Sequence, residues 1–486
     1  MNNRELKQKT ISSMIWNTIQ RFGTMIISFV SNIVLARLLM PEDFGSIGML
    51  TIFISFSEVF IDGGFGSALI QKKNPTQDDY STIFYWNLIV STIVFILLQF
   101  AAPLIAEFYH MPKLCNLLRV LSIILIINGF TVIQTTTLTK KLSFKLIAKI
   151  RIVSITIAVV VSIVAAYCGL GVWSLVLKNI LAAMIGSTLF WIYNKWRPSR
   201  RFSWKSFKEL FNFGGLMLLS NITNSLFENL QGLVIGRCYS AADLGHYSQA
   251  KRLDQIVTTS LSQVVTQVSF PVLAQVSDDK SLFIRTVRKN IIVTTYIIFP
   301  LEILLLSVAE PLIITLFSDK WIAAIPYYRI FCLYGLFISL NAINSSIYKA
   351  LGNSKMYFFV QLTKRFIGIS LLVFCIQFGV IGITWSIAIS GFIWWVFNAF
   401  VNKRAISYGI FEQLRDVYKP LVVAIGLGAI IYKLQETFVL SCFAQLIIYI
   451  PVFSILYLTI SKLLKFEGYE ILINEVLKKH LMHHKQ

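Results

Sequence analysis

The sequence predicts an all-α integral membrane protein: fourteen transmembrane helices, set as two parallel six-helix lobes about a pseudo-two-fold axis, plus two C-terminal helices. Composition, run length and an internal repeat predict it. Hydrophobic residues make up 56% of the 486 residues and charged ones 14%, against roughly 45–50% and 25% in soluble domains. Apolar runs of about 20 residues recur, long enough to cross a bilayer core of ~30 Å as helices. "LARLLMPEDFG" (Leu35–Gly45) returns as "IGRCYSAADLG" (Ile235–Gly245), so that Arg37, Asp43 and Gly45 recur as Arg237, Asp243 and Gly245.

The first seven runs are Ile11–Leu39, Phe44–Ile61, Ile83–Ala106, Leu117–Leu138, Ile147–Tyr167, Val172–Tyr193 and Phe211–Ile235. The other seven are Leu244–Phe270, Ile291–Ala309, Ile330–Ala350, Met356–Phe378, Ile381–Phe400, Leu421–Leu434 and Phe438–Leu463, the eighth polar and the thirteenth short. Lipid offers backbone N–H and C=O groups no partner, so each run must be helical. The apolar segment after "MNNRELKQKT" is too long for a signal-peptide core and lacks a small-residue cleavage site, so no cleavable leader is expected.

The repeat fixes the organisation. "APLIAEF" at Ala102 answers to "EPLIITLF" at Glu310, and "GLGVWSL" at Gly169 to "GVIGITWSI" at Gly379. Each copy holds six spans, an even number, so both enter from the same side. The expected divisions are a first lobe at 1–194, a basic cytoplasmic linker at 195–210, a second lobe at 211–402, two spans within 403–464, and an amphipathic, basic tail at 465–486. In the repeated turn Asp caps the next helix and Gly permits an unusual backbone angle. Its recurrence reads as architecture.

The net charge of +21 is a matter of placement. About three quarters of the 44 Lys and Arg fall in loops on the side shared by the two termini, the positive-inside pattern. Both termini are therefore expected in the cytoplasm, and the charge is expected to meet anionic lipid rather than nucleic acid. The six cysteines and five histidines show no metal-site spacing. No nucleophile–base pattern or phosphate loop stands out, so neither an enzyme nor a metal or cofactor site is expected.

The informative polar residues lie on the repeated helices. Span one carries Ser13, Asn17, Arg21, Thr24, Ser28 and Ser31 on one helical face, and span seven carries Asn221, Asn224, Glu228 and Gln231 at those positions plus 200. Span eight carries Ser248, Arg252, Gln255, Thr259, Ser262, Thr266 and Ser269, while span two contributes Ser55 and Asp62 with Glu58 beside them. Serine and asparagine stripes also serve helix packing, at ~0.6 kcal/mol per hydrogen bond. An arginine at mid-membrane costs about 2.5–3.5 kcal/mol, which packing does not explain. The stripes are therefore expected to line a central hydrated cleft. Its expected substrate contacts are Arg21, Arg252, Lys251, Lys178, Asn17, Asn221, Asn224, Gln255 and Thr259. Asp62, Glu58 and Glu228 are candidate sites for a coupling Na⁺ or H⁺. Glu302 and Lys364–Arg365 are expected near the membrane interface, and Asp254 on a helix face apart from Arg252.

"LARLLMPEDFGSIGM", "DGGFGSALIQK", "FPVLAQVSDD" and "GLGVWSLV" resemble the polysaccharide transporter family of the multidrug/oligosaccharidyl-lipid/polysaccharide exporter superfamily, nearest its Wzx-type flippases for O-antigen, colanic acid and teichuronic acid. The resemblance covers essentially the whole chain. It implies translocation of an undecaprenyl-pyrophosphate-linked oligosaccharide to the outer leaflet of the bacterial inner membrane, by a monomer among membrane lipids, with a polysaccharide polymerase complex as a partner. Related lipid II flippases carry cavity arginines on spans one, two and eight; Arg21 and Arg252 match the first and last, while Glu58 and Asp62 stand where the span-two arginine would be. Guanidinium suits pyrophosphate through bidentate, charge-assisted bonds. The alternatives are a multidrug exporter of the same superfamily, with a more apolar or acidic cavity, and a membrane glycan polymerase, which would carry a long outer loop.

The orientation is testable with thiols. A membrane-impermeant maleimide should label Cys115 or Cys238, both in expected outer loops, on intact cells whose outer membrane, if present, is permeabilised. Ser199→Cys in a cysteine-free background should label only after the inner membrane is broken. The reverse pattern would invert the topology.

Overall fold

The computed structural model describes residues 3–438 and 440–474. His483, His484 and the rest of the expected tail beyond 474 lie outside the described residues. Every regular element among the described residues is helical. The chain divides into two compact units, Met1–Ser248 and Gln249–Gln486.

The first unit begins with α1 (Asn3–Leu38), α2 (Pro41–Asp62), the short α3 (Phe65–Gln71), α4 (Gln77–Phe108) and α5 (Lys113–Leu121). It continues with α6 (Ile123–Lys140), α7 (Phe144–Tyr167), α8 (Val172–Tyr193), α9 (Trp204–Cys238) and the start of α10 (Ala241–Gln275). Helix α7 packs between α1 and α8, α4 lies on α6, and α2 lies against α9. The second unit holds the rest of α10, then α11 (Lys280–Ser307), α12 (Ala309–Phe317), α13 (Ile325–Ala350) and α14 (Ser354–Cys375). It ends with α15 (Gly379–Ile406), α16 (Ile410–Thr437) and α17 (Cys442–Leu463). There α13 packs between α11 and α15, and α16 lies along α11.

Eleven helical segments among the described residues are long and apolar enough to cross a membrane. One of them, Lys355–Ile406, contains both α14 and α15. The 35-residue helices α9 and α10 are not among the eleven; α10 carries Asp243, Lys251, Arg252 and Asp254 in its first half. The thirteenth run, read as short, lies in α16, a helix of 28 residues.

The second run, expected to end at Ile61, ends at Asp62, where Gly63 and Gly64 take φ of 54° and 71°, and the chain restarts as α3. Such angles come readily only to glycine. The fourth bends at Ser122 between α5 and α6. Helix α9 starts at Trp204, seven residues before the expected span, because Ser203 caps it: its side chain accepts from Ser206 N–H at 3.2 Å. The expected linker is also pinned. Ser199 N–H donates to Ser81 Oγ at 2.9 Å, Ser203 N–H to Thr82 Oγ1 at 3.0 Å, and Trp196 Nε1 to Gln77 Oε1 at 2.9 Å. Lys72 closes the same corner with Asp79 at 3.0 Å and Glu209 at 3.1 Å. Burial alone would lower its ammonium, but the two carboxylates outweigh that and hold it above the usual lysine range.

The start of the expected tail folds back. Helical residues 467–474 follow α17, and Glu467 accepts a bidentate pair from Arg288 of α11 at 2.7 and 2.6 Å. Arg288 Nε also donates to Asp416 at 3.0 Å, so one guanidinium ties α11, α16 and the tail.

The repeated turn is a contact. Asp43 Oδ2 accepts from Met40 N–H at 3.1 Å, and Asp243 Oδ2 accepts from Ser240 N–H at 3.2 Å, so both aspartates cap as expected. The glycines serve differently from expectation, since neither has a positive φ. The two turns meet: a Cβ on Gly45 would stand 1.7 Å from Ala241 O, and one on Gly245 would stand 2.0 Å from Pro41 O. Both copies must lack a side chain for the backbones to approach. Gly45→Ala should therefore destabilise the protein by on the order of 1–3 kcal/mol, as overpacking does, read as a lower thermal midpoint in detergent. Gly426→Ala, with nothing within 4 Å of its Cβ, should leave the midpoint nearly unchanged. Equal midpoints for both variants would contradict the contact.

Candidate functional site

Most intramembrane polar groups are consumed by packing. In the second unit Asn398 Nδ2 donates to Asn341 Oδ1 at 2.9 Å, Asn402 Nδ2 to Asn344 Oδ1 at 2.8 Å, and Gln413 Nε2 to Asn344 Oδ1 at 3.1 Å. These buried amides join α13, α15 and α16. In the first unit Asn194 Nδ2 donates to Gln134 Oε1 and to Thr137 Oγ1, each at 2.7 Å. Nearly all of these amide groups find a partner in place, as low-dielectric burial favours; Asn402 Oδ1 is the exception among the groups named.

The expected site residues differ in exposure. On α1, Asn17 and Arg21 are exposed, while Ser13 turns inward and donates to Leu142 O at 3.1 Å. On α9, Asn224 and Glu228 are exposed and Asn221 is half-buried. On α10, Arg252 and Gln255 are exposed, whereas Leu253, Asp254 and Thr258 are buried. Lys178 and Lys251 are half-buried. The Thr259 side chain lies outside the described residues. Arginine and amide side chains thus occupy open helix faces in both units.

The acids of α2 are held differently from each other. Glu58 is half-buried, and its carboxylate accepts from Asn128 Nδ2 of α6 at 2.7 Å. Arg151 of α7 acts on Glu58 electrostatically, and its guanidinium lies 5.6 Å from the Phe190 ring centroid. The cation beside Glu58 is therefore Arg151. Arg151 lies in the fifth run, Ile147–Tyr167, about two turns into α7, and is absent from the expected site residues because nothing in its spacing links it to Glu58. Asp62 is exposed at the break after α2, near enough to α3 that a Cβ on Gly66 would stand 3.2 Å from its Oδ1. Asn229 of α9, absent from the expected stripe, reaches α2 and donates to Ser55 Oγ at 3.3 Å.

Glu302 is the largest departure. It was expected near an interface and is 1% exposed, with Asp254 at 4% and Cys332 at 1%. Their ligand atoms all lie within 4.8 Å of one another. Asp254 indeed turns away from Arg252, and it also accepts from Thr258 Oγ1 at 3.1 Å.

Long apolar helices and buried amide networks between them define a multi-pass integral membrane protein. The solved lipid II flippase MurJ in an inward closed conformation superposes at TM-score 0.77 over 95% of this chain and all of that one, with 17% identity. An inward-facing multidrug transporter of the MATE family superposes at 0.59 over 81% of this chain and 98% of that one, with 15% identity. The chain belongs to the polysaccharide biosynthesis protein family, whose model matches residues 34–326. The teichuronic acid biosynthesis protein TuaB of Bacillus subtilis (strain 168) is 26% identical over 430 residues, covering 88% of this chain and 89% of that one. The lipopolysaccharide biosynthesis protein WzxC of Escherichia coli (strain K12) is 25% identical over 441 residues, covering 88% and 89%. The family resemblance read from the motifs is thus borne out.

If the exposed faces are the functional ones, their polar groups should tolerate change better than the buried amides. Asn398→Ala should lower the detergent thermal midpoint by the equivalent of about 1–3 kcal/mol, by taking from Asn341 Oδ1 its donor. Asn17→Ala, at an exposed position, should leave it nearly unmoved. A larger loss for Asn17→Ala would reverse the assignment.

Proposed function

We propose that the protein is a flippase for lipid-linked oligosaccharide, carrying an undecaprenyl-pyrophosphate-linked repeat unit from the cytoplasmic to the outer leaflet of a bacterial inner membrane. The observation that carries this reading is the family membership over more than half the chain, with relatives named for teichuronic acid and lipopolysaccharide biosynthesis. The MurJ-like fold is consistent with it.

In this reading α9 and α10 also cross the membrane and α14 and α15 cross separately, giving fourteen spans in two parallel six-helix repeats with both termini cytoplasmic. The exposed faces of α1 and α9 in the first unit and of α10 in the second each offer polar groups to the substrate. Arg21 and Arg252 hold pyrophosphate through bidentate bonds, with Lys178 and Lys251 adding charge. Asn17, Asn221, Asn224, Gln255 and Thr259 meet sugar hydroxyls, while the isoprenoid tail stays in lipid. The repeats rock about this site to expose it alternately. A cation gradient acting at Glu58, Asp62 or Glu228 biases the cycle outward.

The test is complementation of a flippase-null strain, with surface polysaccharide and membrane protein level measured together. Arg252→Ala should abolish export at unchanged protein level, Arg252→Lys should retain part of it, and Arg252→Glu should be worst. Parallel loss of export and protein would assign Arg252 to folding, and full export in Arg252→Ala would remove it from the site. Joint replacement of Glu58, Asp62 and Glu228 by their amides should abolish export; wild-type export would remove them from coupling.

A further inference from the structure

Asp254 of α10, Glu302 of α11 and Cys332 of α13 converge inside the second unit, their ligand atoms within 4.8 Å of one another. Neither carboxylate oxygen of Glu302 has a hydrogen-bond partner among the described residues, although the side chain is 1% exposed. A buried carboxylate without a donor is among the most costly arrangements in a protein interior. Space is reserved for it. Gly335 stands one turn beyond Cys332, where a Cβ would lie 2.5 Å from Glu302 Cδ and 2.7 Å from each oxygen. Tyr328 lies one turn before Cys332, is also buried, and hydrogen-bonds to its sulfur.

The occupant follows from the donors. Two carboxylates within 4.8 Å of each other in an apolar interior strongly disfavour a second negative charge, and one proton held by the pair relieves that repulsion. Metal ions fit less well. The three ligand atoms fall short of the four that close a structural zinc site and of the six to eight oxygens that calcium takes. The other titratable groups facing the pair among the described residues are Tyr328, Cys332 and Tyr334, all from α13. Lys251 and Arg252 stand within three residues of Asp254 on α10, on its less buried side.

We propose that Asp254 and Glu302 share one exchangeable proton, forming a protonation site in the second unit separate from the acids of α2 and α9. Its use as a coupling site rests on the flippase reading; its existence does not. Proton release leaves two like charges in a closed apolar space, which favours any rearrangement that separates α10 from α11. Proton uptake restores the packed state.

Infrared difference spectra of the purified full-length protein, recorded across pH in H₂O and D₂O, test the site without any substrate. Wild type should show a deuterium-sensitive protonated-carboxyl band that titrates in two steps. Glu302→Gln and Asp254→Asn should each remove one component and raise the acidity of the remaining carboxyl at least about tenfold, the mark of strongly interacting groups. A band unaltered in both variants would overturn the proposal. So would a stoichiometric bound metal found by elemental analysis and lost in Cys332→Ser. A second readout needs no variant: an apolar carbodiimide, which attacks protonated buried carboxyls, should modify Asp254 or Glu302 with a yield that falls as pH rises. Absence of label on both peptides contradicts the shared proton. Surface polysaccharide in the same variants tests the coupling role alone: wild-type export would remove that role while the spectra still decide the site. If the unmodified chain fails to complement, the flippase reading falls and the infrared result stands independently.

Discussion

A helix that crosses lipid satisfies its own backbone, but it can do nothing for a polar side chain, and that constraint orders the whole molecule. Each polar residue must meet another, cap a helix end, or face a space that holds water or ligand. The amides joining α13, α15 and α16 take the first route. Asp43 and Asp243 take the second. Asn17, Arg21 and Gln255 lie on exposed faces of α1 and α10. A glycan-bearing pyrophosphate is a ligand whose charges and hydroxyls match what those faces offer.

The same constraint gives the repeated turn its meaning. The two turns approach through backbone at Gly45 and Gly245, while the buried Leu244 side chain packs beside them over Gly48 and Gly236. The steric requirement at Gly45 and Gly245 is mutual, each facing the backbone of the other turn. A second pair of glycines matched by the repeat, Gly169 and Gly379, share left-handed φ of 82° and 76° at the starts of α8 and α15. The repeat thus extends to backbone conformation.

Fold class was legible because run length and composition report directly on the solvent a segment must face. The polar stripes were legible only in part: Asn17, Arg21, Arg252 and Gln255 are exposed, but Ser13 and Ser31 on α1 and Ser269 on α10, read onto the same faces, are buried. Residues that act across helices were not legible. Glu302 sits five residues before the end of α11, where sequence suggests an interface, and only the packing of Gly335 against it shows a buried pocket. Arg151 lies in an expected span, but its action on Glu58 crosses from α7 to α2 and leaves no mark in the spacing. The end of α2 at Asp62 matches the expected run, whereas the restart as α3 after the left-handed Gly63–Gly64 pair was not read. In each case the missing information was a long-range contact or a boundary a few residues away.

Translocation itself is measured most directly in vesicles of purified protein containing a lipid-linked oligosaccharide, with an impermeant glycosidase added outside. A flippase exposes inner-leaflet substrate, so digestion should pass the outer-leaflet share and approach completion, and Arg252→Ala vesicles should stop near that share. Digestion that halts at the level of protein-free vesicles, with correctly folded protein present, would contradict glycan translocation by this chain.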